Sequence, residues 1–215
     1  MDAKPLEQSS SAPIYEALKA AIMSGDYAPG EPLRQDEIAR QHGVSKIPVR
    51  EALLRLEVDG FVQFRKNKGA SVRSLSRSEV LNLMDIRVAL ECKALELAVP
   101  HMVASDFELV ESILAEYGKE TSPASWSVLN TRFHRALYEP CANLFLIQMI
   151  EDLWARMGPF VRLLVSETSG LSRPHEDHKA ILAACRAGDV DAAVSLMQKH
   201  IETTKKEMAA RLRPR

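Results

Sequence analysis

The stretch "GVSKIPVREALLRLEVDGFVQFRKNKGASV", Gly43 to Val72, sets a helical pattern dotted with Lys46, Arg50 and Arg55 beside "RKNKG", a run of cations around one glycine. Val49, Leu53 and Leu56 fall on one face, so the segment reads as an amphipathic helix that stops at Gly60. Ser45 stands where a helix cap is expected, and Pro48 lies in the first turn, where a missing N–H is tolerated. Beyond Gly60, Val62 and Phe64 alternate with Gln63, and Ala70 and Val72 alternate with Ser71. This is the period of two short strands, and Asn67 and Gly69 suit the turn between them.

Working back from Gly43, a helix is expected over about Gln35–Gln41, ending at a glycine that accepts the left-handed C-terminal position. An earlier helix, about Ile14–Ser24, carries Ile14, Leu18, Ala21 and Ile22 on one face. Three helices with a tight turn before the third, closed by a two-stranded hairpin, make a winged helix-turn-helix. Residues 12–73 are assigned to it, after a disordered tail over residues 1–11.

The rest of the chain reads differently. Residues 74–76 form a linker, and Ser76 with Glu79 has capping-box spacing. Six helices follow, at about 77–98, 106–118, 123–138, 143–166, 174–187 and 190–211, with starts marked by Ser105 and Glu108, Ser122 and Pro123, and Asp189 after Gly188. Residues 77–211 are therefore an all-helical domain, and the fold class is mainly α: a winged helix-turn-helix with a small β-hairpin, then a helical bundle.

Charge supports a polyanion partner for the first domain only. The 215-residue chain has a net charge of −1, yet Ser45–Arg73 holds seven Lys and Arg against three acids, while the chain from Ser76 onward is nearly balanced. Nothing approaches the roughly 20 apolar residues of a membrane span. Cys92, Cys141 and Cys185 lie far apart in apolar helical contexts, as expected of free thiols in a reducing cytosol, so a cytoplasmic location is expected.

In a helix-turn-helix the second helix of the motif enters the major groove by its N-terminal end. That end carries Ser45, Lys46, Ile47 and Arg50, of which Lys46 and Arg50 are the candidates for guanine O6 and N7. Arg34, Ser45 and the wing residues Arg65, Lys66, Lys68 and Gly69 are candidates for backbone or minor-groove contact with double-stranded DNA. Arg55, two turns along, reads as solvated surface.

The stretch "APGEPLRQDEIARQHGVSKIPVREALLRLEVDGFVQFRKNKGASV" resembles the N-terminal domain of GntR-family bacterial transcription regulators, through "IA…GVS", "PVREAL..L..DG" and "GASV". Lys46 stands where that family more often has arginine, which keeps the charge and loses the planar fork.

In the helical half, His134, His178 and His200 each fall on the apolar stripe of a different helix, with Asn130 one turn before the first. Buried histidines are ordinary core residues when alone. Three that converge, with an amide oxygen, are a donor set for a divalent transition metal. This half resembles the FCD ligand-binding domain of the FadR branch of the same family, in its six-helix, VanR-like form. The resemblance rests on "R…LE" at Arg87, Leu90 and Glu91, "FH..L" at Phe133–Leu137, "H..IL" at His178–Leu182 and the close at His200–Ile201. It implies a metal (zinc, nickel or manganese) on Asn130, His134, His178 and His200, with Asn130 replacing a common aspartate. It further implies a small carboxylate effector completing the metal's coordination. Arg87 is the candidate clamp for that effector, with an ion pair to Glu91 as the competing reading. His175 reads as a substitute ligand, a neighbour of the site, or a surface residue at a helix start.

The whole implies a non-enzymatic, homodimeric transcription regulator, by default a repressor, on a roughly palindromic operator. Two alternatives stay open: a metal-dependent hydrolase or lyase joined to a DNA-binding domain, and a DNA-binding dimerisation module with no effector.

Overall fold

A computed structural model describes residues 11–166 and 172–211, and the chain divides into two compact units at Leu75/Ser76. The tail expected over residues 1–11 lies outside the described residues, save Ser11, which opens the first helix.

The first unit runs α1 (Ser11–Ser24), β1 (Pro32–Leu33), α2 (Gln35–His42), α3 (Lys46–Val58), β2 (Val62–Arg65) and β3 (Gly69–Val72). Ile14, Leu18 and Ile22 of α1 meet Val49, Leu53 and Leu56 of α3 in a core that also buries Leu33, Ile38 and Phe61. Gly43 ends α2 at φ +66°, and no neighbour would obstruct a side chain there, so backbone conformation alone requires the glycine. Ser45 holds the N-cap position of α3 in extended backbone, but its side chain makes no capping hydrogen bond, contrary to expectation. The hairpin pairs Val62 with Val72 and Arg65 with Gly69, and Asn67 takes φ +62° at its tip.

One element exceeds the sequence reading. The sheet has three antiparallel strands in the order β1–β3–β2, not two, because Pro32 and Leu33 pair with Ser71 and Ala70. Arg55 is also more than solvated surface: its guanidinium lies 4.3 Å from the centre of the Tyr15 ring, and the Tyr15 hydroxyl donates to Asp59 at 2.5 Å. Burial, with help from Asp59, pushes the Tyr15 phenol up to about 12.

The second unit contains α4 (Arg77–Ala98), α5 (Ala104–Tyr117), α6 (Pro123–Tyr138), α7 (Leu144–Ser166), α8 (Ser172–Arg186) and α9 (Val190–Arg211). The expected capping box forms: Ser76 Oγ accepts from the Glu79 N–H at 3.2 Å, and Glu79 returns a bond to the Ser76 N–H at 2.8 Å. Helix α5 starts two residues earlier than the Ser105 signal suggests, since Asp106 accepts from the Val103 N–H at 2.8 Å. The first long helix, α4, packs along α9 and α7, while α5 lies against α6 and α8. Met84, Leu95, Phe133, Leu137, Ile150, Ile181 and Met197 are wholly buried between them. Among the described residues no helix is long and apolar enough to cross a membrane.

Candidate DNA-reading surface and metal centre

The N-terminal end of α3 faces solvent. Ser45, Lys46 and Arg50 are exposed, as is the apolar Ile47 at 70%, while the opposite face carries the core. Lys46 pairs with Asp36 of α2, and Arg34, at the N-cap of α2, pairs with Glu37 at 3.2 Å. Both are open ion pairs worth at most about 1 kcal/mol, so either cation can turn to a phosphate at little cost. Arg65, Lys66, Lys68 and Gly69 are exposed at the tip of the β2–β3 hairpin. Glu57 of α3 accepts from the Phe64 N–H at 2.9 Å, which ties the hairpin to the helix and fixes its register beside it.

In the second unit, α6, α8 and α9 bring His134, His178 and His200 together. Each is buried, their ring centroids lie 4.8–5.6 Å apart, and one donor atom from each falls within 4.8 Å of the others. Nitrogens bound to one ion at about 2.1 Å sit at most about 4.2 Å apart, so a small inward rotation of the rings closes the trio on a metal.

Hydrogen bonding and burial suit two of the three rings to that task. His200 Nδ1 lies 3.0 Å from Asp177, and a carboxylate there accepts from an Nδ1–H, which leaves the Nε2 lone pair for a ligand. Burial, aided by His200 and Arg87, holds the His134 pKa well below its ordinary value, so its imidazole is neutral. His134 Nε2 is buried with no hydrogen-bond partner among the described residues, a state that costs a polar atom about 1–3 kcal/mol unless something binds it. Asn130 is half-buried one turn before His134 on α6.

Behind the trio lies a second layer, of which the sequence reading had offered only the Arg87–Glu91 ion pair. His134 Nδ1 lies 3.1 Å from the Tyr138 hydroxyl, which donates to Glu91 at 2.9 Å. Glu91 is fully buried and also accepts from Arg87 Nε at 2.5 Å and Trp154 Nε1 at 2.9 Å. Burial would lower the Arg87 pKa, but the charge and hydrogen bonds of Glu91 outweigh it and raise the pKa above its ordinary value. Arg87 is thus engaged by Glu91 through Nε and Nη2, and its Nη1 faces the Met84 sulfur at 3.6 Å.

His175 is no surface residue. It is half-buried, stacks on Tyr117 at 5.7 Å, and occupies the space a side chain at position 118 would take: a Cβ on Gly118 would fall 2.8 Å from His175 Cε1. Cys92 and Cys185 are free thiols pushed by burial up to about 11 and about 12, so neither is a nucleophile at neutral pH.

Comparison with known proteins covers both units. Residues 10–72 match "Bacterial regulatory proteins, gntR family", and residues 82–203 match the FCD domain. The HTH-type transcriptional repressor GlaR of Escherichia coli is 30% identical over 200 residues, 88% of this chain and 91% of that protein. The HTH-type transcriptional regulator McbR of the same organism is 29% identical over 197 residues, 87% of this chain and 89% of McbR. The solved structure of E. coli McbR/YncC superposes with a TM-score of 0.79 at 26% identity, covering 96% of this chain and all of that one.

Proposed function

The chain belongs to the GntR family, with an FCD domain as its second unit, and is a DNA-binding transcriptional regulator; on that footing we propose that it is a metal-dependent, ligand-responsive repressor. The observation that carries the proposal is the cluster of three buried imidazoles on three helices, with Asp177 and Tyr138 behind two of them. His134, His178 and His200 would hold a divalent transition metal, with Asn130 as the fourth donor from this chain. Such an ion supplies a Lewis-acidic position for a small organic acid. Three neutral nitrogens and one amide oxygen leave the metal's double charge uncompensated, which favours an anionic ligand.

Arg87 is the candidate second anchor for that acid. Among the described residues its Nη1 meets only the Met84 sulfur, at 3.6 Å, so a carboxylate could meet Nη1 without displacing Glu91. On the DNA side, Lys46 and Arg50 would read base edges, while Arg34, Ser45, Arg65, Lys66, Lys68 and Gly69 would hold the backbone. Two copies related by a two-fold axis would read a roughly palindromic operator. Effector binding weakens operator binding only through a difference in affinity between two states, a coupling of about 1–3 kcal/mol in typical cases.

The test is operator affinity by fluorescence anisotropy, with the operator chosen from random duplexes by repeated selection. Metal-loaded and chelated protein are each titrated against a panel of organic acids. A change of about 5-fold or more on adding one acid, present with metal and absent after chelation, supports the reading. Identical operator affinity in all arms overturns it.

A further inference from the structure

We infer that Tyr138 and Glu91 are positioning residues that fix the metal-binding face of His134. The inference rests on the metal-centre reading above and deepens it. A tyrosine hydroxyl has one proton to give and lone pairs to receive with. The Tyr138 oxygen lies 2.9 Å from Glu91 Oε2, 3.1 Å from His134 Nδ1 and 3.5 Å from the Met197 sulfur. A carboxylate is the strongest acceptor of the three, so the phenolic proton goes to Glu91. The oxygen can then only accept from His134, which places the imidazole proton on Nδ1 and leaves the Nε2 lone pair open. Nε2 is the buried His134 atom with no hydrogen-bond partner among the described residues.

Glu91 is held in the acceptor role from the other side. Arg87 Nε and Trp154 Nε1 both donate to Oε1, so Oε2 is left to Tyr138, with a longer contact of 3.4 Å from Arg87 Nη2. The relay Arg87–Glu91–Tyr138–His134 therefore runs from α4 through α6. It assigns Arg87 a part in the site through Glu91, whether or not an effector touches its remaining nitrogen. On the far side of the trio Asp177 does for His200 in one step what this relay does for His134 in two.

The arrangement makes Glu91→Gln an informative variant. The carboxamide oxygen must face the two donors at Oε1, which turns its NH2 group toward Tyr138. That NH2 donates to the phenol, and the phenolic proton turns to His134 Nδ1. The imidazole proton then moves to Nε2, facing the metal position. Tyr138→Phe removes the relay's middle member with the ring kept. Trp154→Phe also takes a donor from Glu91 but leaves the Tyr138–His134 contact alone.

The experiment is a Co2+ titration of the full-length protein and these three variants, followed by visible absorbance. Alongside it, the histidine 15N spectrum of the metal-free protein reads the tautomer of His134. The expected result is a loss of about 10–100-fold in Co2+ affinity for Tyr138→Phe and Glu91→Gln, and a change within about 3-fold for Trp154→Phe. The parent spectrum should show the proton on Nδ1, and Glu91→Gln should show it on Nε2. Glu91→Gln leaves the buried Arg87 charge unpaired; should it fail to fold, Tyr138→Phe carries the test, and parent-like Co2+ affinity in Tyr138→Phe overturns the relay. Parent-like affinity in Glu91→Gln, or an equal loss in Trp154→Phe, overturns the relay while the metal centre stands. A parent that binds no Co2+ overturns the metal centre and the relay with it.

Discussion

Replacing Arg87 by methionine should destabilise the metal-free, effector-free protein by about 3–5 kcal/mol. The magnitude follows from burial: the Glu91 side chain is 0% exposed and that of Arg87 9%, so neither charge has water to fall back on. Without the guanidinium, Glu91 keeps two neutral donors among the described residues, Tyr138 and Trp154. Against a typical stability of about 5–15 kcal/mol this is a large loss. It corresponds to a fall of about 6–20 °C in the melting of the helical unit. Scanning calorimetry on chelated protein near pH 7 measures it. A companion Arg87→Met/Glu91→Gln protein removes both charges and keeps an acceptor for Trp154, and it should be more stable than Arg87→Met alone by at least about 1 kcal/mol. An Arg87 whose only task was to grip an effector would leave the effector-free protein unchanged. A loss below about 1 kcal/mol, or strictly additive effects in the double variant, refutes the buried-pair reasoning.

Two further outcomes follow from the first unit. Arg50→Ala should weaken operator binding by about 5- to 150-fold and relax base preference, since a bidentate guanine contact discriminates by about 1–3 kcal/mol; unchanged affinity at fixed salt removes Arg50 from the readout. Tyr15 holds its proton up to about pH 12 when folded against about 10 when unfolded, so its contribution is fully present below pH 10 and is lost as the pH climbs toward 12. The denaturation midpoint of the first unit should therefore fall over that window, and less steeply in Tyr15→Phe; parallel curves would contradict the Tyr15–Asp59 contact.

The helices were legible because their signals are local. Apolar residues recur at three and four positions, and Ser76 with Glu79 states its cap within four residues. Strand β1 was not, because two residues have no period and Pro32 and Leu33 become a strand only by pairing with β3 some 38 positions later. Ser45 is a strong cap in isolation, yet its side chain makes no capping hydrogen bond to α3. At the site, the inward faces of His134, His178 and His200 could be read from their helical stripes. Their partners were harder: Tyr138 stands at i+4 from His134 and Asp177 beside His178, so both were within reach. Trp154 meets Glu91 across 63 residues, and Tyr15 meets Arg55 from another helix, contacts that no periodicity encodes.

Three imidazoles from α6, α8 and α9 stand close enough to grip one ion. Elemental analysis of protein exposed to zinc, manganese and nickel and then desalted tests this most directly, with His178→Ala treated alongside. The parent should retain about one divalent transition ion per chain and the variant only traces. Trace metal in both, or the same amount in both, would contradict it.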